Sequence, residues 1–227
     1  MASILVVAAH PDDEILGCGG TIARHVADGD TVDIVIVAEG VTSRPGQIGN
    51  ARALAQLRNA AHAANAILGV EAVSFEGLPD NRLDGLERLE IVRRIETHVE
   101  RCRPQFVYTH HVGDVNIDHQ VVHHAVVTAC RPQPGHPVHT LLFFETPSST
   151  EWQTPGSAPP FLPNWFIDIS VTLQRKLQAL AAYRSEMRPW PHPRSFEAVS
   201  HLAHLRGAAS GLDSAEAFML GRRINFP

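Results

Sequence analysis

His10-Pro11-Asp12-Asp13-Glu14 sets one imidazole and three carboxylates at the end of the apolar run Ile4–Ala9. A second cluster, His110-His111-Val112-Gly113-Asp114-Val115-Asn116-Ile117-Asp118-His119, follows another apolar run, Gln105–Thr109. Imidazole and carboxylate ligands converging from separate loops suit Zn²⁺, with a fourth position left to water where the site is catalytic. In the first cluster His10 and Asp13 can face one ion across a single turn while Asp12 points elsewhere. A carboxylate beside an activated water, but not ligating, is what a general base for hydrolysis requires. Pro11 fixes the backbone where the run ends, and a helix starting near Asp13 would put positive dipole behind the carboxylates. The plainer alternative is an acidic helix N-cap with an incidental histidine.

The elements that must position these clusters are legible in the apolar pattern. Ile4–Ala9, Thr31–Ala38, Val70–Phe75, Gln105–Thr109 and Val138–Phe144 read as buried strands. Between them, Ile15–Ala27, Asn50–Leu68, Leu86–Arg101 and His119–Cys130 carry helical spacing. Strands alternating with long helices imply right-handed crossovers and a mostly parallel sheet, an α/β Rossmann-like three-layer sandwich. Ligands of such sheets sit at the carboxyl ends of strands, where both clusters fall, along with Glu39-Gly40-Val41-Thr42 and Glu76–Arg82. Glu145–Pro163 is rich in Pro, Ser, Thr and Gly and reads as a long functional loop within one domain spanning 1–227. Beyond it we expect a short strand at Phe166–Ile169, a helix over Val171–Tyr183, and a tail of turns with an apolar helix at Phe196–Leu205.

Composition removes several classes of function. Lys and Arg number 19 against 24 Asp and Glu, a formal charge of −5, so no basic face for nucleic acid or anionic lipid is expected. No apolar segment approaches the roughly 20 residues of a membrane span, and Ile4–Ala9 lacks the basic start of a signal peptide. Cys18, Cys102 and Cys130 are odd in number and widely spaced, which reads as free thiols in a cytoplasmic protein.

Taken together, Ala9-His10-Pro11-Asp12-Asp13-Glu14, Gly17-Cys18-Gly19-Gly20-Thr21, Leu68-Gly69-Val70 and Asn116-Ile117-Asp118-His119 resemble the PIG-L/LmbE superfamily of zinc-dependent N-deacetylases. Arg206-Gly207 and Ala215-Glu216-Ala217-Phe218 resemble its C-terminal pattern, so the likeness spans nearly the whole chain. The resemblance implies that His10, Asp13 and His119 bind Zn²⁺, with Asp118 supporting them, and that Asp12 is the general base. It also implies Arg58 and Asp80 as sugar-binding residues at the rim, and a homo-oligomer, trimer or hexamer. Asn116 departs from the pattern, standing where many members carry histidine. An amide can donate to an oxyanion but cannot transfer a proton. Replacement acids are His110, His111 and His192. Of these His192 is favoured, since Pro191 and Pro193 would hold it rigidly and the tail plausibly folds over the strand ends; His111 is next.

Other tempting residues keep plainer readings. Gly17-Cys18-Gly19-Gly20 lacks dinucleotide-loop spacing and suits close helix–strand packing. His123 and His124, His201 and His204, and the pairs Arg93-Arg94 and Arg222-Arg223 read as packing or solvated residues. The leading expectation is a zinc-dependent hydrolase that removes N-acetyl from a small amino-sugar substrate, using activated water and Asp12. The alternatives are an amidase acting on a larger amide and a non-catalytic module binding a sugar or nucleotide.

Overall fold

Ile4 and Val6 of the first strand, β1 (Ser3–Ala8), enter one hydrophobic core, while Leu5 and Val7 enter another. A strand covered by helices on both faces needs no polar side, which explains the unbroken apolar run. The structure, a computed structural model, describes residues 1–40 and 51–225. In chain order the elements are β1, α1 (Asp13–Ala27), β2 (Thr31–Ala38), α2 (Ala51–Leu68), β3 (Ala72–Leu78), α3 (Arg88–Cys102), β4 (Phe106–His110) and α4 (Ile117–Ala129). There follow β5 (Thr140–Phe144), β6 (Trp165–Asp168), α5 (Leu173–Ala182), α6 (Phe196–Ala208) and β7 (Ala215–Arg223).

The sheet runs β3-β2-β1-β4-β5-β7-β6. Its first five strands pair in parallel, and β7 is antiparallel to both β5 and β6. One core gathers α1, α2 and α5 through Ile15, Ile22, Leu57, Leu68 and Leu180. The opposite core gathers α3 and α4 through Ile91, Ile95, Val122 and Val126. This is the expected mostly parallel three-layer α/β sandwich. Strand order reverses between β1 and β4, and the crevice outside their carboxyl ends is where such sheets bind ligands. Both His/Asp clusters stand there.

Some boundaries differ from expectation for physical reasons. α1 and α4 begin two residues earlier than the apolar spacing predicts, because acidic residues fill their first turns. β7 was expected as part of a tail of turns. Its Ala-Glu-Ala start and Gly221 have little intrinsic preference for a strand, and pairing with β5 on one side and β6 on the other holds it in the sheet. Asn50, the expected start of α2, and Val41 and Thr42 lie outside the described residues. The Glu145–Pro163 segment is not uniformly a surface loop: Thr146, Ser149 and Thr150 are buried, and Thr150–Trp152 forms a 3₁₀ turn.

α1 is kinked at Cys18, whose φ and ψ of −148° and 25° leave the helical region. Close packing explains the glycines here: a Cβ at Gly17 would stand 2.4 Å from the Phe144 ring, and one at Gly20 2.8 Å from Ile169. Across the kink, Glu216 of β7 accepts from the Gly20 and Thr21 amides at 2.9 and 2.7 Å. Lys176 of α5 donates to the Leu16 carbonyl at 2.8 Å and to Glu216 at 2.6 Å. A buried ion pair therefore caps both halves of the broken helix and fixes the turn that carries Asp12 and Asp13. All three cysteines are free thiols. Among the described residues no helix is long and apolar enough to cross a membrane.

Candidate metal and catalytic site

β1 ends at Ala8, and the chain turns at His10 into α1. Asp13 is buried in the first helical turn, where its Oδ2 accepts the His10 amide at 2.9 Å. The same oxygen lies 3.3 Å from His10 Nδ1 and 3.2 Å from His119 Nε2. His10, Asp13 and His119, all buried, each offer one ligand atom within 4.8 Å of the others. Asp13 Oδ1 and both ring nitrogens of His119 have no hydrogen-bond partner although all are buried. Unpartnered buried donors and acceptors are rare and call for an explanation, and an ion is one. A set of two imidazoles and one carboxylate fits Zn²⁺.

Each histidine turns its second nitrogen to a carboxylate. His10 Nε2 lies 3.0 Å from Asp118 Oδ2, and His119 Nδ1 lies 3.1 Å from Asp114 Oδ2. Carboxylates in that position fix the tautomer and aim of a ligating histidine. His10, Asp80 and Asp118 form a second convergent group. The Asp118 oxygens, however, already accept the Leu83 and Asn81 amides at 3.0 and 2.6 Å, so this carboxylate is committed to holding His10. Asp80 was expected at the rim. It is instead 2% exposed, drawn inward to 3.3 Å from His10 Nε2.

The charges follow from these contacts. Burial opposes ionisation of Asp13, but His119, His10 and His110 outweigh it and hold the carboxyl well below its usual range. Burial likewise disfavours a charged His119, yet Asp13 and Asp114 raise it to about 9. Asp114, also resisting through burial, is held at about 2 by His119, Ser149 and the Asn116 amide. A cation at this cluster would compete with the protons that His10 and His119 hold.

Asp12 lies beside this group with a separate set of contacts. Its φ of 112° puts a non-glycine residue in left-handed space. Its Oδ2 accepts from Arg194 Nη1 at 2.7 Å, and its amide donates to Glu14 Oε2 at 3.0 Å. Burial pushes the Asp12 carboxyl up, Arg194 pulls it back, and Asp13, Glu186 and Glu14 leave it well above the ordinary carboxylate range. Glu14 is buried too, accepting from Tyr183 Oη at 2.6 Å and Asn65 Nδ2 at 2.9 Å; burial raises it to about 7.

The other expected site residues fall in different places. Asn116 caps α4, its side-chain oxygen accepting the Asp118 amide at 2.8 Å, with Nδ2 3.3 Å from Asn81 Oδ1. His110 stacks on His119 with ring centroids 3.9 Å apart, but its Nε2 accepts the Ala9 amide at 2.8 Å. Burial and His119 keep His110 well below the usual histidine range. His111 faces the loop, with Nε2 2.9 Å from the Pro159 carbonyl and its ring edge-on to Phe161. His192 Nδ1 accepts the Arg194 amide at 3.0 Å, and its ring packs edge-on to Trp152. Among the described residues no hydrogen bond or ion pair joins His111 or His192 to His10, Asp12, Asp13 or His119. The tail does fold over the strand ends, and the side chain it delivers to Asp12 is Arg194. Arg58 lies at the rim, 3.9 Å from Glu39 and over the Phe75 ring.

Three contributors escaped the sequence reading. Asp114 stands in the same loop as His119, so a search for a carboxylate behind each histidine would have found it. Glu14 belongs to the first motif, but its inward turn depends on Asn65 and Tyr183, far away in sequence. Arg194 carried no signal at all.

Residues 5–130, more than half of the chain, match the family described as PIG-L, GlcNAc-PI de-N-acetylase. The uncharacterized deacetylase YaiS of Escherichia coli is 34% identical over 64% of this chain and 75% of its own length. The 4-oxalmesaconate hydratase of Pseudomonas putida is 28% identical over 84% of this chain and 76% of its own. The 1D-myo-inositol 2-acetamido-2-deoxy-alpha-D-glucopyranoside deacetylase of Rhodococcus erythropolis is 25% identical over 85% and 84%. Among solved structures, the N,N'-diacetylchitobiose deacetylase of Pyrococcus horikoshii superposes with a TM-score of 0.77 at 20% identity, covering 96% of this chain and 83% of its own. With the two clusters meeting at the β1–β4 crevice and the family matched across the first four strands, the chain belongs to the PIG-L deacetylase family.

Proposed function

We propose that this protein is a zinc-dependent N-deacetylase acting on an amino sugar or amino-sugar conjugate. His10, Asp13 and His119 hold the ion, and Asp12 is the general base. The observation that carries the reading is the buried convergence of three ligand atoms, with Asp13 Oδ1 and His119 Nε2 unpartnered, next to a carboxylate that is not one of them. Bound there, Zn²⁺ would supply a Lewis acid for the amide carbonyl and would lower the pKa of an attacking water to about 7.

Asp12 takes the proton from that water. Its raised affinity for protons suits the task, since a base works best with a pKa near the working pH. Asp12 then returns the proton to the leaving amine. This double role is supported by the absence, among the described residues, of any hydrogen bond or ion pair from His111 or His192 to the cluster, and by the occupied Nε2 of His110. Asp114 and Asp118 orient His119 and His10. Arg58 is the candidate substrate contact at the open rim.

A second reading rests on the hydratase relative, which spans more of this chain than the E. coli deacetylase does. A base beside a Lewis acid also suits addition of water across the double bond of an unsaturated carboxylate, H to one carbon and OH to the other. One screen separates the two: acetate release from N-acetylated sugars and conjugates, against loss of ultraviolet absorbance from conjugated enoic acids. Asp12→Asn should keep one zinc per chain and lower kcat by roughly 10²–10⁴-fold in whichever assay responds. Loss of zinc in that variant would mean that Asp12 and Asp13 have been exchanged in this assignment.

A further inference from the structure

Asp12 keeps a backbone conformation that its residue type rarely adopts, φ 112° and ψ −28°. Such a residue persists only where its surroundings over-determine it. Two of its restraints are local: the amide donates to Glu14, and the carbonyl accepts from Ile15 and Leu16 at 3.0 and 2.9 Å. The third is distant. Arg194 Nη1 reaches Asp12 Oδ2 at 2.7 Å from 182 residues further along the chain.

Arg194 is itself held. Its Nε donates to Ser148 Oγ at 2.7 Å, and the side chain is 22% exposed. Ser148 is a second left-handed residue, φ 67°, whose amide donates to Glu151 Oε1 at 2.6 Å. The two residues after Ser148 serve the other half of the site. The Ser149 hydroxyl donates to Asp114 Oδ1, and the Thr150 hydroxyl donates to Asp114 Oδ2 at 2.7 Å; Asp114 in turn faces His119 Nδ1. One turn, Thr146–Glu151, thus touches the base through Arg194 and the metal-site histidine through Asp114.

We propose that Arg194 is a positioning residue for Asp12, seated by Ser148, and that the Thr146–Glu151 turn sets base and metal-site histidine in register. The proposal rests on Asp12 being the base. A rival role for Arg194, anchoring an anionic group of the substrate through Nη2, would leave Nη1 on Asp12 and Nε on Ser148, and the kinetics below separate the two.

The test compares wild type, Arg194→Ala, Arg194→Lys and Ser148→Ala as purified. Hydrogen exchange is followed by mass spectrometry, with zinc content and steady-state kinetics measured on the same samples. In Arg194→Ala, exchange over residues 10–16 should rise about tenfold or more while β1, β4 and β5 keep their protection. Zinc stays near one per chain, and kcat falls about 10²-fold with KM unchanged, the usual cost of misplacing a reacting group. Arg194→Lys, which keeps the charge but cannot hold Asp12 and Ser148 at once, should recover part of both effects, and Ser148→Ala should show a weaker local rise. Unchanged exchange over 10–16 overturns the proposal, as does a rise spread evenly through the chain. A raised KM with kcat retained overturns it in favour of the anchor. The exchange readout needs no substrate. If wild type turns nothing over yet residues 10–16 respond to Arg194, the deacetylase reading fails while the clamp stands.

Discussion

Asp114→Asn should weaken zinc binding by 10–100-fold without removing the site. Asp114 is buried and its carboxylate is fully engaged: Oδ1 accepts from the Asn116 amide at 2.8 Å and from Ser149, Oδ2 from Thr150 at 2.7 Å, with His119 Nδ1 at 3.1 Å. The Asn116 amide and the two hydroxyls present protons to the carboxylate, and His119 Nδ1 faces it at ion-pair distance without completing a hydrogen bond. With the proton on Nδ1, the Nε2 lone pair of His119 points toward Asp13 and the ion. Asparagine keeps the shape and loses one acceptor. If its NH₂ takes the Oδ2 position, it meets the His119 N–H, and relief requires the other tautomer, with the proton on Nε2 where a ligand lone pair is needed. If the amide flips, NH₂ meets the Asn116 backbone N–H, which cannot rotate away. Either arrangement weakens the hold on His119. Carboxylates behind metal-bound histidines are worth 10–100-fold in metal affinity, or about 1.4–2.8 kcal/mol at 1.4 kcal/mol per tenfold. Competition against a chromophoric chelator at fixed pH measures the affinity directly. Equal affinities for wild type and variant would refute the orienting role of Asp114.

Other consequences are simpler. Asn116→Ala should lower stability by about 1 kcal/mol in denaturant titration through loss of the α4 cap, with zinc retained. Lys176→Met, which leaves Glu216 buried and unpaired at the α1 kink, should cost about 3–5 kcal/mol. Lys176→Met combined with Glu216→Leu should recover much of that loss, and failure to recover would mean that the kink depends on more than the charge pair. At Glu76, burial resists ionisation, but His98 and Arg94 draw the carboxyl below its ordinary 4.5. A depressed folded pKa lends stability that is fully present above 4.5 and lost as pH falls through the folded value. Glu76→Gln should therefore be less stable than wild type at neutral pH, and the gap should close on acidification.

The parallel half of the fold was open to sequence reading because β1, β2, β4 and β5 are largely buried and announce themselves as mostly apolar runs, whereas the half-buried edge strand β3 begins two residues later than its apolar pattern predicts. The antiparallel edge was closed to it. β7 alternates small, charged and aromatic residues and takes its shape from β5 and β6 on either side. The site divides in the same way. His10, Asp12 and Asp13 are fixed by one strand end and one helix start, local geometry that spacing conveys. His119 needed the family resemblance, since β1 and β4 lie side by side only after a crossover. Arg194 and Ser148 meet Asp12 through tail and loop segments with no periodicity to read. Asp80 was drawn from the rim into the cluster by His10, an interaction that appears only once the third strand has been laid beside the second and the loop behind it has closed.

The spread of relatives from deacetylases to a hydratase is understandable from what the cluster does. The proposed base, its orienting carboxylates and the ion they would serve all act on water; none of them would touch the part of a substrate that distinguishes a sugar from an unsaturated acid. An amide carbonyl and a conjugated carboxylate both present an oxygen for a Lewis acid and a carbon for attack. Selection must then come from the walls. On one side stands Arg58, its side chain 40% exposed beside Glu39 and stacked on Phe75. On the other, the loop after β5 turns Phe161 toward His111 and stacks it under Arg206, which grips Glu145 through two hydrogen bonds of 2.7 Å. A sugar asks its wall for hydroxyl partners and an apolar ring face; a multiply charged acid asks for unpaired cations. Arg206 and Arg194 each face carboxylates of the protein, and the Phe75 and Phe161 rings already carry Arg58 and Arg206 over their faces, so these side chains enter any wall contact as guanidinium–ring or guanidinium–carboxylate pairs rather than as bare rings or free cations.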